Sequence, residues 1–204
     1  MSVQMAGPQK QFDIDAALDR ALAVFWRQGF ELTSVQDLVN GMGVNRASLY
    51  DTFGNKSELY KKALQRYIEQ ALTKTRDMLL NSEGTAEQRL MNYFLGLNEQ
   101  HKNGEHHFGC FLNNTAVELG PHYPEFAQQV RSAWQAMEII FCRLLDEAVA
   151  KGELSKDLDT AAIAATINMM LQGVSVMAKA GTPEQHLGQI IGTVMSLLHT
   201  HKVN

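Results

Sequence analysis

Thr33-Ser34-Val35-Gln36-Asp37-Leu38-Val39-Asn40-Gly41-Met42-Gly43-Val44-Asn45-Arg46-Ala47-Ser48-Leu49-Tyr50-Asp51-Thr52-Phe53 is the stretch whose reading decides the fold. Thr33 and Gln36 have the spacing of a capping box, and Val35, Leu38, Val39 and Met42 then share one helical face. Gly41 and Gly43 break that short helix. Asn45 can cap the next one, with Val44 before it and Leu49 after it at the two staple positions, so that Leu49 and Phe53 point inward together. A short helix, a glycine-containing turn and a second short helix form the geometry in which one helix crosses a DNA backbone and the next enters the major groove.

Once Val44, Leu49 and Phe53 are assigned inward, the outward residues of the second helix are Asn45, Arg46, Ala47, Ser48, Tyr50 and Asp51. These are hydrogen-bonding groups with one compact gap at Ala47. Arg46 can pair with a guanine edge or a phosphate, Asn45 and Ser48 can reach bases or phosphate oxygens, and the Tyr50 hydroxyl suits the backbone. Thr33 and Ser34, at a helix N-terminus, add hydroxyls and amides for another phosphate. Lys56 falls in the first turn of a following helix, where a cation opposes the helix dipole unless an anion is near. From Asn45 to Arg66 five basic residues stand against two acidic ones, a local patch of about +3.

Working outward, the flanking segments also carry helical period. Ile14, Ala17, Leu18, Ala21, Leu22 and Phe25 form one face, with Asp13 as N-cap and Gly29 past the end. Asn55 with Glu58 opens a fourth, long helix through Tyr60, Leu64 and Tyr67 toward Leu79. Further helices are expected through Tyr93 and Leu97, around Cys110 to Leu119, and from about Glu125 to Ala150. The last two begin near Thr160 and at Thr182-Pro183-Glu184-Gln185, where Thr182 caps and Pro183 takes the first helical position.

No alternating strand pattern or internal repeat is present, so the fold class is all-α. An N-terminal three-helix helix-turn-helix domain is expected over residues 10–56, and a C-terminal helical ligand-binding and dimerisation domain over 57–202. The 204 residues are 45% hydrophobic, enough for a packed core. With 18 basic and 22 acidic residues the net charge is −4, which excludes a global basic field and confines any DNA site to a patch. Cys110 and Cys142 are too few for a disulfide scaffold and, with no N-terminal apolar signal segment, fit reduced thiols in the cytoplasm. The apolar stretch from Thr160 is interrupted by Thr166, Asn168, Gln172 and Ser175, so no membrane partner is expected.

Thr33–Val39, Met42–Leu59 and the preceding Phe25–Phe30 resemble the DNA-binding domain of TetR-type (TetR/AcrR) repressors. The resemblance is close over roughly residues 12 to 60 and rests elsewhere on length and helix order. It implies a homodimer on a palindromic operator, with Tyr50 and Lys56 gripping phosphates and Arg46, Asn45 and Ser48 setting sequence preference. Asp51 departs from the commoner polar donors at its position, since a carboxylate repels phosphate.

The same resemblance implies an inducer pocket in the C-terminal half. Tyr93, Phe94, Leu97, Phe111, Trp134, Met137, Phe141, Met169 and Met170 are the candidate lining, an aromatic and methionine-rich set that equally suits a plain core. The dimer surface is expected on the last two helices, from Thr166, Met170, Gly173, Val174, Met177, Leu187, Ile190, Ile191, Val194 and Leu198, as an antiparallel pair meeting its copy in a four-helix bundle. Burial within one subunit is the competing account of that face.

Phe108-Gly109-Cys110-Phe111-Leu112-Asn113-Asn114-Thr115 resembles a glycine-cysteine segment of one branch of the family, some of whose members respond to oxidants, electrophiles or metals. A helix N-terminus and a protonated His106 or His107 would both favour the Cys110 thiolate, making it a candidate redox switch; a small packed thiol is the plainer alternative. His101, His106, His107 and Cys110 make only a loose metal-ligand set, and no metal or cofactor is expected. No nucleophile with a base at motif spacing and no phosphate-cradling loop points to an enzyme. The remaining alternatives are a helical adaptor without DNA binding and a metal-responsive regulator.

Overall fold

The computed structural model describes residues 12–102, 108–199 and 201, which form nine α-helices and no strand. The chain divides into two compact units, Met1–Arg66 and Tyr67–Asn204.

The first unit holds α1 (Ile14–Gln28), α2 (Val35–Met42), α3 (Arg46–Phe53) and the opening turns of α4 (Lys56–Leu80). Local chemistry sets most of the boundaries. The Asp13 carboxylate accepts from the Ala16 amide at 3.0 Å, and the Asn45 side chain accepts from Ser48 at 2.8 Å. Asn55 and Glu58 satisfy each other's backbone amides at 2.9 and 3.0 Å, a reciprocal box that starts α4.

The start of α2 corrects the expected cap by one residue. Ser34, not Thr33, is the N-cap, and Asp37, not Gln36, closes the box: Asp37 N–H meets Ser34 Oγ at 3.1 Å and Ser34 N–H meets Asp37 Oδ2 at 2.9 Å. Thr33 is drawn inward instead, 1% exposed, its hydroxyl donating to the Gly29 carbonyl. The Ser34 bonds hold the Asp37 carboxyl below its ordinary range. A carboxylate whose folded pKa is lowered stabilises the fold above its unfolded value, and that contribution fades as pH falls through the folded one. Wild type should therefore lose its advantage over Asp37→Asn between about pH 5 and pH 2, read as the difference in melting temperature; a difference constant with pH would contradict the box.

Two glycines shape α2, and only Gly43 ends it; Gly41, expected to help break the helix, lies inside it and faces α1. At Gly41 a Cβ would lie 2.4 Å from Val24 Cγ2, so only glycine lets α2 lie this close to α1, and Gly43 ends α2 in the left-handed region at φ 68°. Phe25, Leu38, Met42, Leu49, Phe53, Tyr60 and Leu64 are buried, and Tyr60 meets Phe25 and Phe30 edge-on at 4.8 and 5.1 Å. The Arg66 guanidinium bonds the Asp19 carboxylate at 2.9 Å and Asp15 at 3.1 Å, which ties α4 to α1 within this unit.

The second unit contains the rest of α4, α5 (Ala86–Lys102), α6 (Phe111–Glu118), α7 (Pro124–Ala150), α8 (Thr160–Lys179) and α9 (Glu184–His199). Its core gathers Leu79, Leu90, Tyr93, Phe94, Met137, Phe141, Leu144, Leu145, Ile167 and Leu198. The α9 start also shifts by one: the Pro183 carbonyl accepts from Leu187, so Pro183 stands at the cap position expected for Thr182. Arg89, 2% exposed, donates to the Leu79 carbonyl at 3.0 Å and to Glu147 at 2.9 Å, joining α4, α5 and α7.

Candidate nucleic-acid interface and sensor core

Val44, Leu49 and Phe53 are buried as the hydrophobic pattern requires, which leaves Asn45, Arg46, Ala47, Tyr50 and Asp51 exposed and Ser48 half-buried. The Asn45 carboxamide oxygen is committed to the cap of α3, so its amino group is what remains for a base or phosphate. The Arg46 guanidinium lies 5.8 Å from the centre of the Tyr50 ring, one helical turn on.

Each of the two short helices keeps open amide donors at its N-terminus. In α2 the Asp37 amide is capped and Leu38 bonds back to Ser34, leaving Val35 and Gln36; in α3 the Ser48 amide is capped and Leu49 bonds back to Asn45, leaving Arg46 and Ala47. Ala47, a gap by side chain, thus contributes its backbone. Ser34 supplies the cap rather than a free hydroxyl, since Oγ also donates to Asp37 at 2.6 Å. Thr33 is too deeply buried to offer its hydroxyl to phosphate. Lys56 is not the isolated cation its position suggested: its ammonium donates to the Phe30 and Thr33 carbonyls and sits over the Phe30 ring. Arg20, which the sequence pattern did not single out, donates to the Met42 carbonyl at 2.8 Å and caps the other end of α2.

In the second unit Tyr93, Phe94, Met137 and Phe141 come together in one cluster, with Leu97 and Met170 packed against it. Phe111 lies apart from that cluster and meets Tyr67 edge-on at 5.7 Å. Trp134 is half-buried, and its indole N–H has no acceptor among the described residues. Met169 is 75% exposed on the outer side of α8 and does not line the interior, a correction to the expected set.

Cys110 is the half-buried N-cap of α6, and its sulfur does not cap the helix; the Tyr67 hydroxyl donates to Sγ at 3.5 Å. Burial, followed by the neighbouring Cys110, pushes the Tyr67 phenol well above its ordinary range. Burial likewise raises Tyr93 to about 12, its hydroxyl paired with Thr75 at 3.3 Å. Tyr67 and Thr75 were missed because nothing local signals contacts across 43 and 18 residues. His106 and His107 lie outside the described residues, as does the His101 side chain, and with them the loose metal-ligand set.

The expected dimer residues separate into two groups. Leu187, Val194 and Leu198 are buried in their own subunit, because α9 turns that face toward the core. Thr166 and Gly173 are exposed, and Met170, Val174, Met177, Ile190 and Ile191 are half-buried. Only 17% of the most apolar window of α8 is buried, and the helix is long and apolar enough to cross a membrane by length and composition.

A glycine-hinged pair of short helices, with a polar outward face on the second and open amides at both N-termini, defines a helix-turn-helix DNA-binding regulator. Residues 17–63 match the family model for bacterial regulatory proteins of the tetR family, and residues 86–194 match the tetracyclin repressor-like C-terminal domain. The chain belongs to the TetR family. It is 34% identical over 191 residues to the HTH-type transcriptional repressor ComR of Escherichia coli K12, covering 94% of this chain and 91% of ComR. It is 31% identical to the uncharacterized HTH-type regulator YezE of Bacillus subtilis 168, covering 94% and 99%. Among solved structures, a cysteine mutant of the TetR family regulator CifR, complexed with 26-bp double-strand operator DNA, superposes with a TM-score of 0.80 at 27% identity. That match covers 94% of this chain and all of CifR.

Proposed function

We propose that this chain is a homodimeric cytoplasmic repressor that holds a palindromic operator and releases it when a small apolar inducer binds, or when Cys110 is modified. The observation that carries the DNA reading is the outward face of α3, Asn45, Arg46, Ala47, Ser48 and Tyr50, set beside the open amides of the α2 N-terminus. An adaptor or an enzyme has no use for that combination. The relatives named repressors, and the operator bound to CifR, support the same reading.

Two copies would place their α3 helices in successive major grooves about 34–36 Å apart, the length of one DNA turn. The copy-to-copy surface is assigned to α8, where Met169, Gly173 and Val176, with Thr166 on the same side, are exposed in a single subunit, and to the half-buried Ile190 and Ile191 on α9. Tyr93, Phe94, Met137 and Phe141 are the proposed inducer-facing set, with the unpaired Trp134 N–H able to take a carbonyl of the inducer. α4 runs through the division between the two units and is the element through which occupancy would reach the DNA-binding unit. Operator binding must then weaken inducer binding by the same factor.

Genome-wide selection of DNA fragments by the purified protein, with and without mild oxidant and with Cys110→Ser, tests this directly. A palindromic site lost on oxidation only in the wild type supports both parts. A site indifferent to oxidation keeps the repressor and removes the thiol switch, while no enriched DNA sinks the regulator reading. On the recovered site, Arg46→Ala should cost about 1–3 kcal/mol per half-site and relax preference at one base pair. An Arg46→Ala protein with unchanged preference would exclude Arg46 as a base reader.

A further inference from the structure

Lys56 is the first residue of α4, where a positive charge meets the positive end of the helix dipole. Its ammonium is nonetheless fixed. Nζ donates to the Phe30 carbonyl at 2.9 Å and to the Thr33 carbonyl at 3.1 Å, and it lies 4.3 Å from the centre of the Phe30 ring. Phe30 is itself anchored, 6% exposed and edge-on to Tyr60. Both carbonyls belong to the α1–α2 turn, whose next residue is Ser34, the cap of α2. Charged donors to two neutral carbonyls are strong partners for a turn that also closes through Thr33, whose N–H donates to the Phe30 carbonyl at 3.2 Å and whose hydroxyl donates to the Gly29 carbonyl.

We propose that Lys56 is a positioning residue: it clasps the α1–α2 turn from α4 and so sets the N-terminus of α2, with its open Val35 and Gln36 amides, before DNA arrives. The inference rests on the DNA-binding reading for its consequence, but the clasp itself exists in the free protein. Two of the three ammonium N–H groups are committed to carbonyls, so a direct phosphate contact can use only the third. A phosphate pair alone would act independently of the α2 cap. A clasp would not.

The test uses the full-length chain and the genomic fragment recovered by the wild type. In the free protein, Lys56→Met should raise amide exchange at Thr33 and Leu38 about tenfold while leaving Leu49 and the α7 amides unchanged. Lys56→Arg, which keeps the charge and its donors, should restore part of the protection. On DNA, Ser34→Ala should weaken binding several-fold in the wild type but less than about twofold in the Lys56→Met background. Unchanged exchange at Thr33 and Leu38, a rise at all amides together, or independent multiplication of the two DNA effects would each overturn the clasp. If the wild type enriches no DNA, the regulator reading fails, and the exchange measurement alone then decides whether Lys56 holds the turn.

Discussion

A Gly173→Arg variant should purify as a folded monomer with operator affinity lower by about 10²–10⁴-fold, the loss expected when two linked half-site contacts become one. Gly173 is exposed on α8, and a Cβ there meets no atom within 4 Å of its own subunit. Glycine inside a helix is about 1 kcal/mol worse than a good helix former, so arginine leaves the protomer at least as stable. In a two-fold interface the same side chain enters from both copies, and two guanidiniums would be buried against Met169 and Val176, which are 75% and 54% exposed in one subunit. Far-UV circular dichroism, sedimentation and DNA affinity together separate the causes, because losing a partner subunit by itself lowers the melting point. A Gly173→Arg protein that remains dimeric and binds DNA normally removes α8 from the interface, whereas loss of helical signal at low temperature would mean that the protomer itself was damaged.

Much of this architecture is written in short-range chemistry. Asp13, Asn45, Asn55 and Glu58 cap helices where their spacing predicts, and Gly29, Gly43 and Gly54 end them, because a cap involves residues only three or four apart. The outward face of α3 follows from the same periodicity that buries Leu49 and Phe53. The start of α2 was ambiguous for a physical reason. Thr33 and Ser34 are both good caps, and the choice is made by Thr33 bonding back to Gly29 while Lys56 holds its carbonyl. In α9 periodicity marks an apolar face without saying whether the subunit's own core or a second copy covers it. Leu187, Val194 and Leu198 went to the core, while Met169 on α8 went outward. The Tyr67–Cys110 contact had no local signal at all.

Glu147→Ala should be the most destabilising substitution of a charged residue in the second unit. Arg89 is 2% exposed, and its charge is answered by Glu147 at 2.9 Å. Glu147 also takes Lys151, and these two bonds hold its carboxyl below the ordinary range. Removing one member of a fully buried pair costs about 3–5 kcal/mol, because the other charge is left without a partner. The Glu147 side chain is 34% exposed, so solvent reduces the penalty to about 2–3 kcal/mol, or roughly 5–10 °C in melting temperature. Replacing both residues should cost less than replacing one. Arg89→Met with Glu147→Leu removes the charge together with its partner, and the Arg89 Nε that has no acceptor goes with it. The double variant does lose the bond to the Leu79 carbonyl at the end of α4, about 1 kcal/mol, and should therefore melt between wild type and Glu147→Ala. If the double variant melts below Glu147→Ala, the pair contributes net stability through its geometry, and the unpaired-charge explanation fails.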